Sequence, residues 1–76
     1  MPAMKPVHYS KLARVFELDG WAHDRTSGDH LVYVKAGYKR AVVIPKWDEV
    51  PVFIIQSNLR TATISRERYF ELLAQT

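Results

Sequence analysis

The sequence predicts an α+β domain in which three short strands form an antiparallel sheet and the helices cover one of its faces. Three observations carry that expectation. Tyr9, Leu12, Ala13 and Phe16 fall at helical spacing. Three runs rich in β-branched and aromatic residues follow, joined by turns of only a few residues. From Pro51 onward helical spacing returns in two blocks. A meander of three strands has one face to bury, so the helices form a single layer upon it.

Each element has its own local cause. Met1 to Val7 contains two prolines and no periodicity, so residues 1–8 read as an N-terminal tail and residues 9–76 as one domain. Ser10 is the expected N-cap of a helix from about Lys11 to Asp19, with Leu12, Phe16 and Val15 inward and Gly20 closing it as the C′ residue. Trp21 to Arg25 reads as a strand that places Trp21, His23 and Arg25 on one side. Ser27-Gly28-Asp29 is a turn signal leading into a second strand, His30 to Lys35. Ala36 to Arg40 makes a second, basic turn, and Ala41 to Ile44 the third strand, which Pro45 ends. Pro45 to Val50 is a loop. Pro51 suits the start of a helix because its missing N–H has no partner there anyway. Val52, Ile55 and Leu59 give that helix its stripe to about Thr61, and Ser65 caps a last one from about Arg66 to Ala74, with Tyr69, Leu72 and Leu73 inward.

Composition narrows the functional classes. At 76 residues the chain supports one small core, a stability of about 4–11 kcal/mol, and an active site at the surface rather than in a deep cavity. With no cysteine, disulfides and thiolate metal sites are excluded, and a reducing compartment fits. No apolar run approaches membrane-spanning length and Met1 to Ser10 lacks the apolar segment of a signal peptide, so the expectation is a cytoplasmic protein with no membrane partner. Residues 1–46 carry eight Lys and Arg against four carboxylates, a net of +4, whereas residues 47–76 carry three against four, a net of −1. The basic excess therefore accompanies the hairpin around His30, where a phosphate-bearing ligand would be drawn.

His30 is the residue of chemical interest. It begins a strand at the end of a tight turn, which fixes an imidazole while leaving it within reach of a substrate, and its ordinary pKa suits proton transfer near neutrality. The candidates for phosphate contact are Arg25, Lys35, Lys39, Arg40 and Lys46, cations at strand ends and turns that would line one rim of the sheet. Trp47 is placed to stack on a base, to cover the core or to contact a partner protein. The three histidines are not spaced as metal ligands and no acidic cluster accompanies them, so neither a metal nor a cofactor is expected.

Taken in order, several segments resemble the HicA toxins, a family of small bacterial mRNA interferases. Leu18-Asp19-Gly20-Trp21 is similar to the family's Gly-aromatic step after the first helix, and Arg25-Thr26-Ser27-Gly28-Asp29-His30 to its Arg-x-x-Gly-Ser-His element. Val42-Val43-Ile44-Pro45 looks like its third strand, Val50-Pro51 and Asn58-Leu59-Arg60-Thr61-Ala62 like its second helix, and Ile64-Ser65-Arg66-Glu67 like its C-terminal extension. The resemblance spans roughly residues 9–74. It implies a double-stranded-RNA-binding-domain-like fold, α-β-β-β-α plus a C-terminal helix, which agrees with the order read independently above. It also implies cleavage of mRNA without a metal, with His30 as the essential residue on the Gly28-Asp29 loop, and a companion antitoxin, HicB, that binds the toxin and covers this site. One position departs: Asp29 stands where the family has Ser, a substitution the turn accommodates.

RNA carries its own nucleophile, the 2′-OH, so a small nuclease needs proton transfer and charge stabilisation above all. One imidazole does not supply both an acid and a base in a single step. His23, Tyr33, Lys35 or a water is left to fill the second role, and no spacing singles one out. His8, in the tail, is expected to do nothing chemical. A non-catalytic RNA-binding module of the same fold is the alternative reading.

Overall fold

The computed structural model describes residues 3–76; Met1 and Pro2, the start of the expected tail, lie outside the described residues. The elements follow in the order α1 (Tyr9–Leu18), β1 (Ala22–Ser27), β2 (His30–Val34), β3 (Val42–Pro45), α2 (Val52–Ala62) and α3 (Arg66–Leu73). The sheet is antiparallel in the order β1-β2-β3, as expected, and the whole is consistent with the double-stranded-RNA-binding-domain-like fold.

Period-2 alternation decides which face the helices cover. Tyr33 pairs with Val42 and Leu31 with Ile44, and Tyr33, Val42 and Ile44 join one core with Leu12, Val15 and Phe16 of α1, Ile55 and Leu59 of α2, and Tyr69 and Leu72 of α3. The intervening residues His30, Val32, Val34 and Val43 face the other way. Fully burying a side chain of this size is worth about 1.5–3 kcal/mol, so the helix-facing set fixes the register of the sheet. A one-residue slip would turn that whole set to solvent.

Three local expectations are corrected. First, α1 starts at Tyr9, and its N-cap is His8 rather than Ser10: the Nδ1 of His8 accepts from the Ser10 amide at 3.1 Å. What moves the start is the segment before it, read as tail. Val7 and Val50 exchange backbone bonds and the Tyr9 amide donates to the Trp47 carbonyl, which sets the chain's entry into the helix. Second, Trp21 is not a strand residue but a buried one, its ring edge-on to Phe16 at 6.3 Å and against Tyr38 at 5.0 Å. Third, the alternation across Trp21 to Arg25 is broken by a bulge. His23 pairs with Tyr33 and Arg25 with the very next residue of β2, Val32. Asp24 is the extra residue, so His23 and Arg25 lie on opposite faces.

The C-terminal half closes as a helical pair. Helix α2 ends where the Ile64 amide reaches the Leu59 carbonyl and the Thr63 amide the Arg60 carbonyl, the Schellman arrangement. Thr63 takes the left-handed conformation at φ 53°, where glycine is usual, and its hydroxyl lies 2.6 Å from that of Tyr38. Ser65 then caps α3 by accepting from the Arg68 amide at 3.0 Å, and α3 packs chiefly along α1.

Candidate active site

The turn between β1 and β2 holds two residues, Gly28 and Asp29, between the paired Ser27 and His30. Gly28 has φ +60° and Asp29 does not share the positive region. Positive φ at the first central position alone is the pattern of a type II′ turn, whose twist matches the flanking strands and which requires glycine there. A Cβ on Gly28 would meet nothing within 4 Å, so the requirement is conformational and not steric. Asp29, at negative φ, is open to any side chain, which explains how the family's Ser and this Asp serve one turn.

That turn is tied down on its far side. His30 pairs with Pro45 across β3, and the Lys46 amide donates to the Asp29 carbonyl at 2.7 Å. The imidazole is therefore placed by backbone bonds to two strands. Its side chain is 47% exposed, and Nδ1 lies 3.1 Å from Oδ1 of Asp29. Nδ1 faces that carboxylate, which leaves Nε2 as the ring nitrogen for a substrate.

The expected partners of His30 sit elsewhere. His23 lies on the helix-facing side of the sheet, its Nε2 3.0 Å from the Thr26 hydroxyl and its ring edge-on to Tyr33. Tyr33 donates its hydroxyl to Glu17 at 2.8 Å. Burial first, then the bond to Glu17 and that residue's charge, push its pKa up to about 12, far from a useful acid or base near neutrality. Lys35 donates to the Asp19 carbonyl at 2.7 Å and lies 3.5 Å from its carboxylate. None of the three shares the face of His30. Among the described residues, no group of three His, Asp or Glu side chains forms a metal-ligand set.

The phosphate-contact candidates divide rather than forming one rim, and strand direction is the reason. Arg25 shares the face of His30, with Nη1 2.6 Å from Asp24. Lys46 leaves β3 beside the turn, its ammonium 5.9 Å from the Tyr9 ring centroid. Lys35, Lys39 and Arg40 belong to the opposite end, five strand steps from His30, or about 17 Å. Trp47, 43% exposed, stands in the loop after β3 on the His30 side. The sequence offers Asp29 as a turn residue with a carboxylate beside His30; the structure adds that this carboxylate lies against Nδ1.

A family model described as HicA toxin of bacterial toxin–antitoxin systems matches residues 9–64, from the start of α1 through the end of α2. Comparison with curated proteins finds no match to the chain. No helix among the described residues is long and apolar enough to cross a membrane.

Proposed function

The chain belongs to the HicA toxin family of bacterial toxin–antitoxin systems, and from that premise we propose that it is an endoribonuclease that cleaves mRNA in the cytoplasm through His30, without a metal. The observation that carries this reading is the half-exposed His30, fixed by a type II′ turn and braced on Nδ1 by Asp29.

The chemistry follows from the substrate. Nε2 of His30 takes the proton of a ribose 2′-OH as that oxygen attacks the adjacent phosphorus. The new bond joins O2′ to phosphorus, the bond to O5′ breaks, and the leaving O5′ is protonated by water or by a second group. The products are a 2′,3′-cyclic phosphate and a free 5′-OH, and no oxidant or metal enters the balance. Asp29, its carboxylate 3.1 Å from Nδ1, orients the imidazole, as a carboxylate behind a catalytic histidine does elsewhere. Arg25 and Lys46 are the cations at this end for the phosphate. The antitoxin expected of this family, HicB-like, would silence the protein by covering His30.

The test is induction of the wild type beside His30→Ala, with growth and RNA integrity followed together. Arrest and RNA fragmentation with the wild type alone support the reading. A purified wild type that binds RNA but leaves it intact, with or without EDTA, would hand the function to the alternative, a non-catalytic RNA-binding module.

A further inference from the structure

Folding redistributes the charge that the sequence assigns to its first half. Arg68 Nε lies 3.6 Å from Asp19 and Lys35 Nζ 3.5 Å from the same carboxylate, which puts the start of α3 beside the end of β2. The Tyr38–Thr63 contact puts the end of α2 against the β2–β3 turn. Lys35, Lys39 and Arg40 thereby meet Arg60, Arg66 and Arg68, from three separate stretches of chain. Six of the eleven cations lie on the segments drawn together there, with Glu17, Asp19 and Glu67 as the carboxylates beside them, a net of +3, while the rest of the protein carries five cations and five carboxylates, a net of zero.

Part of this charge is structural. Lys35 and Arg68 neutralise Asp19 at the C-terminal end of α1, where cations are favoured in any case. Arg60 and Arg66 line a groove of about 630 Å³ between α2 and α3, together with Gln56, Thr63 and Ser65. All five are exposed, and Gln56, Arg60, Ser65 and Arg66 carry side-chain hydrogen-bond donors. Exposed Lys39 and Arg40 lie on the turn that Tyr38 ties to Thr63. Two guanidinium groups beside a trough of neutral donors match phosphodiester oxygens, which accept paired N–H bonds.

We infer that the α2–α3 groove and the β2–β3 turn form a second binding site, for the phosphodiester backbone of single-stranded RNA, at the end of the sheet opposite His30. The assignment rests on RNA being the substrate, as proposed above, and extends it. A strand held at this pole is kept near the site while other nucleotides reach His30, about 17 Å away along β2. The family match covers residues 9–64, so Arg66 and Arg68 of α3 lie outside the matched segment.

The test uses the full chain carrying His30→Ala, so that binding is read without cleavage. Its Kd for a single-stranded RNA of about 12 nucleotides, within the usual site sizes, is followed over a salt series. Adding Arg60→Gln and Arg66→Gln is expected to raise Kd about tenfold at 0.1 M salt and to reduce the log–log salt slope by about 1.4, the loss of two phosphates. Arg60→Lys with Arg66→Lys keeps the slope. Should the Gln pair fail to fold by circular dichroism, Lys39→Gln with Arg40→Gln carries the test with the same expected fall. An unchanged Kd and slope overturn the assignment, and so does tighter binding of an acidic peptide than of RNA, which would make the pole a protein contact. The two readings fail separately. A wild type that cleaves RNA while binding ignores the arginines sinks the pole alone; arginine-dependent binding by a wild type that cannot cleave sinks only the nuclease.

Discussion

The two ends of the sheet are closed by short turns with a positive-φ glycine, Gly28 at one and Gly37 at the other, yet they are specified in different ways. At the His30 end the imidazole is set by three consecutive residues and one cross-strand bond: Gly28 sets the turn, Asp29 lies against the ring, and Lys46 anchors the backbone. At the opposite end the charge comes from residues 35–40, Arg60, and Arg66 to Arg68, brought together only when both helical joints have formed. A local turn can aim one side chain. Gathering like charge from distant stretches of chain takes tertiary structure.

The contrast can be broken most directly at His30. His30→Ala is expected to lower RNA cleavage by about 10²–10⁴-fold, with RNA binding retained and stability changed by no more than about 1 kcal/mol. Single-turnover cleavage alongside thermal melting checks both parts. A variant that cleaves as fast as wild type ends the local account of catalysis.

Asp29 sharpens the same end by a smaller amount. Because its carboxylate is 67% exposed, its removal should cost about tenfold in cleavage rate, at the low end for a proton-transfer group, with KM held. Asp29→Ser, which retains an acceptor for Nδ1–H, should recover most of that loss where Asp29→Ala does not. Equal rates for the two variants would show that the bond to Nδ1 is idle.

Gly28→Ala tests the turn itself. An alanine forced to φ +60° is expected to cost about 1–2 kcal/mol, measured by urea unfolding, and to displace His30. Gly28→Ala with Asp29→Gly should not restore stability, since the positive φ is needed at the first position only.

The smallest effect on cleavage concerns the face of β2 turned away from His30. Tyr33 has its pKa raised from 10.0 to about 12 in the folded state. The unfolded chain therefore loses that proton first. Stability from Tyr33 is complete below about pH 10 and falls as pH rises from there through 12, by about 2–3 kcal/mol for two pH units. Tyr33→Phe should remove that alkaline loss while leaving the pH dependence of cleavage near neutrality unchanged. A shift in the neutral cleavage profile would instead tie Tyr33 to catalysis across the sheet.

These differences mirror what the sequence made legible. The hairpin, its glycine and the position of His30 could be read because turn chemistry is local: Ser27-Gly28-Asp29 has few other uses between two strands. The helices could be read from the spacing of Leu12, Phe16, Ile55 and Leu59. His8 as a cap was not legible, because it depends on Val7 bridging to Val50, forty-three residues away. Nor was the bulge at Asp24, since an unbroken alternation through Trp21, His23 and Arg25 fits the sequence equally well. The basic pole was hidden for a third reason. Counting charge along the chain separates Lys39 from Arg60, although the Tyr38–Thr63 contact makes their segments neighbours.

The bulge at Asp24 has a consequence for life in a crowded cell. β1 is an edge strand of the sheet, and all six of its residues are exposed, so its unpaired N–H and C=O groups offer a template to any extended chain, including another copy of this one. A flat edge of that length invites stacking into aggregates. The extra residue twists the strand out of register, and the Asp24–Arg25 pair puts charge at the middle of the edge. A residue that the sequence presents as a simple strand position thus keeps the free side of the sheet from being extended.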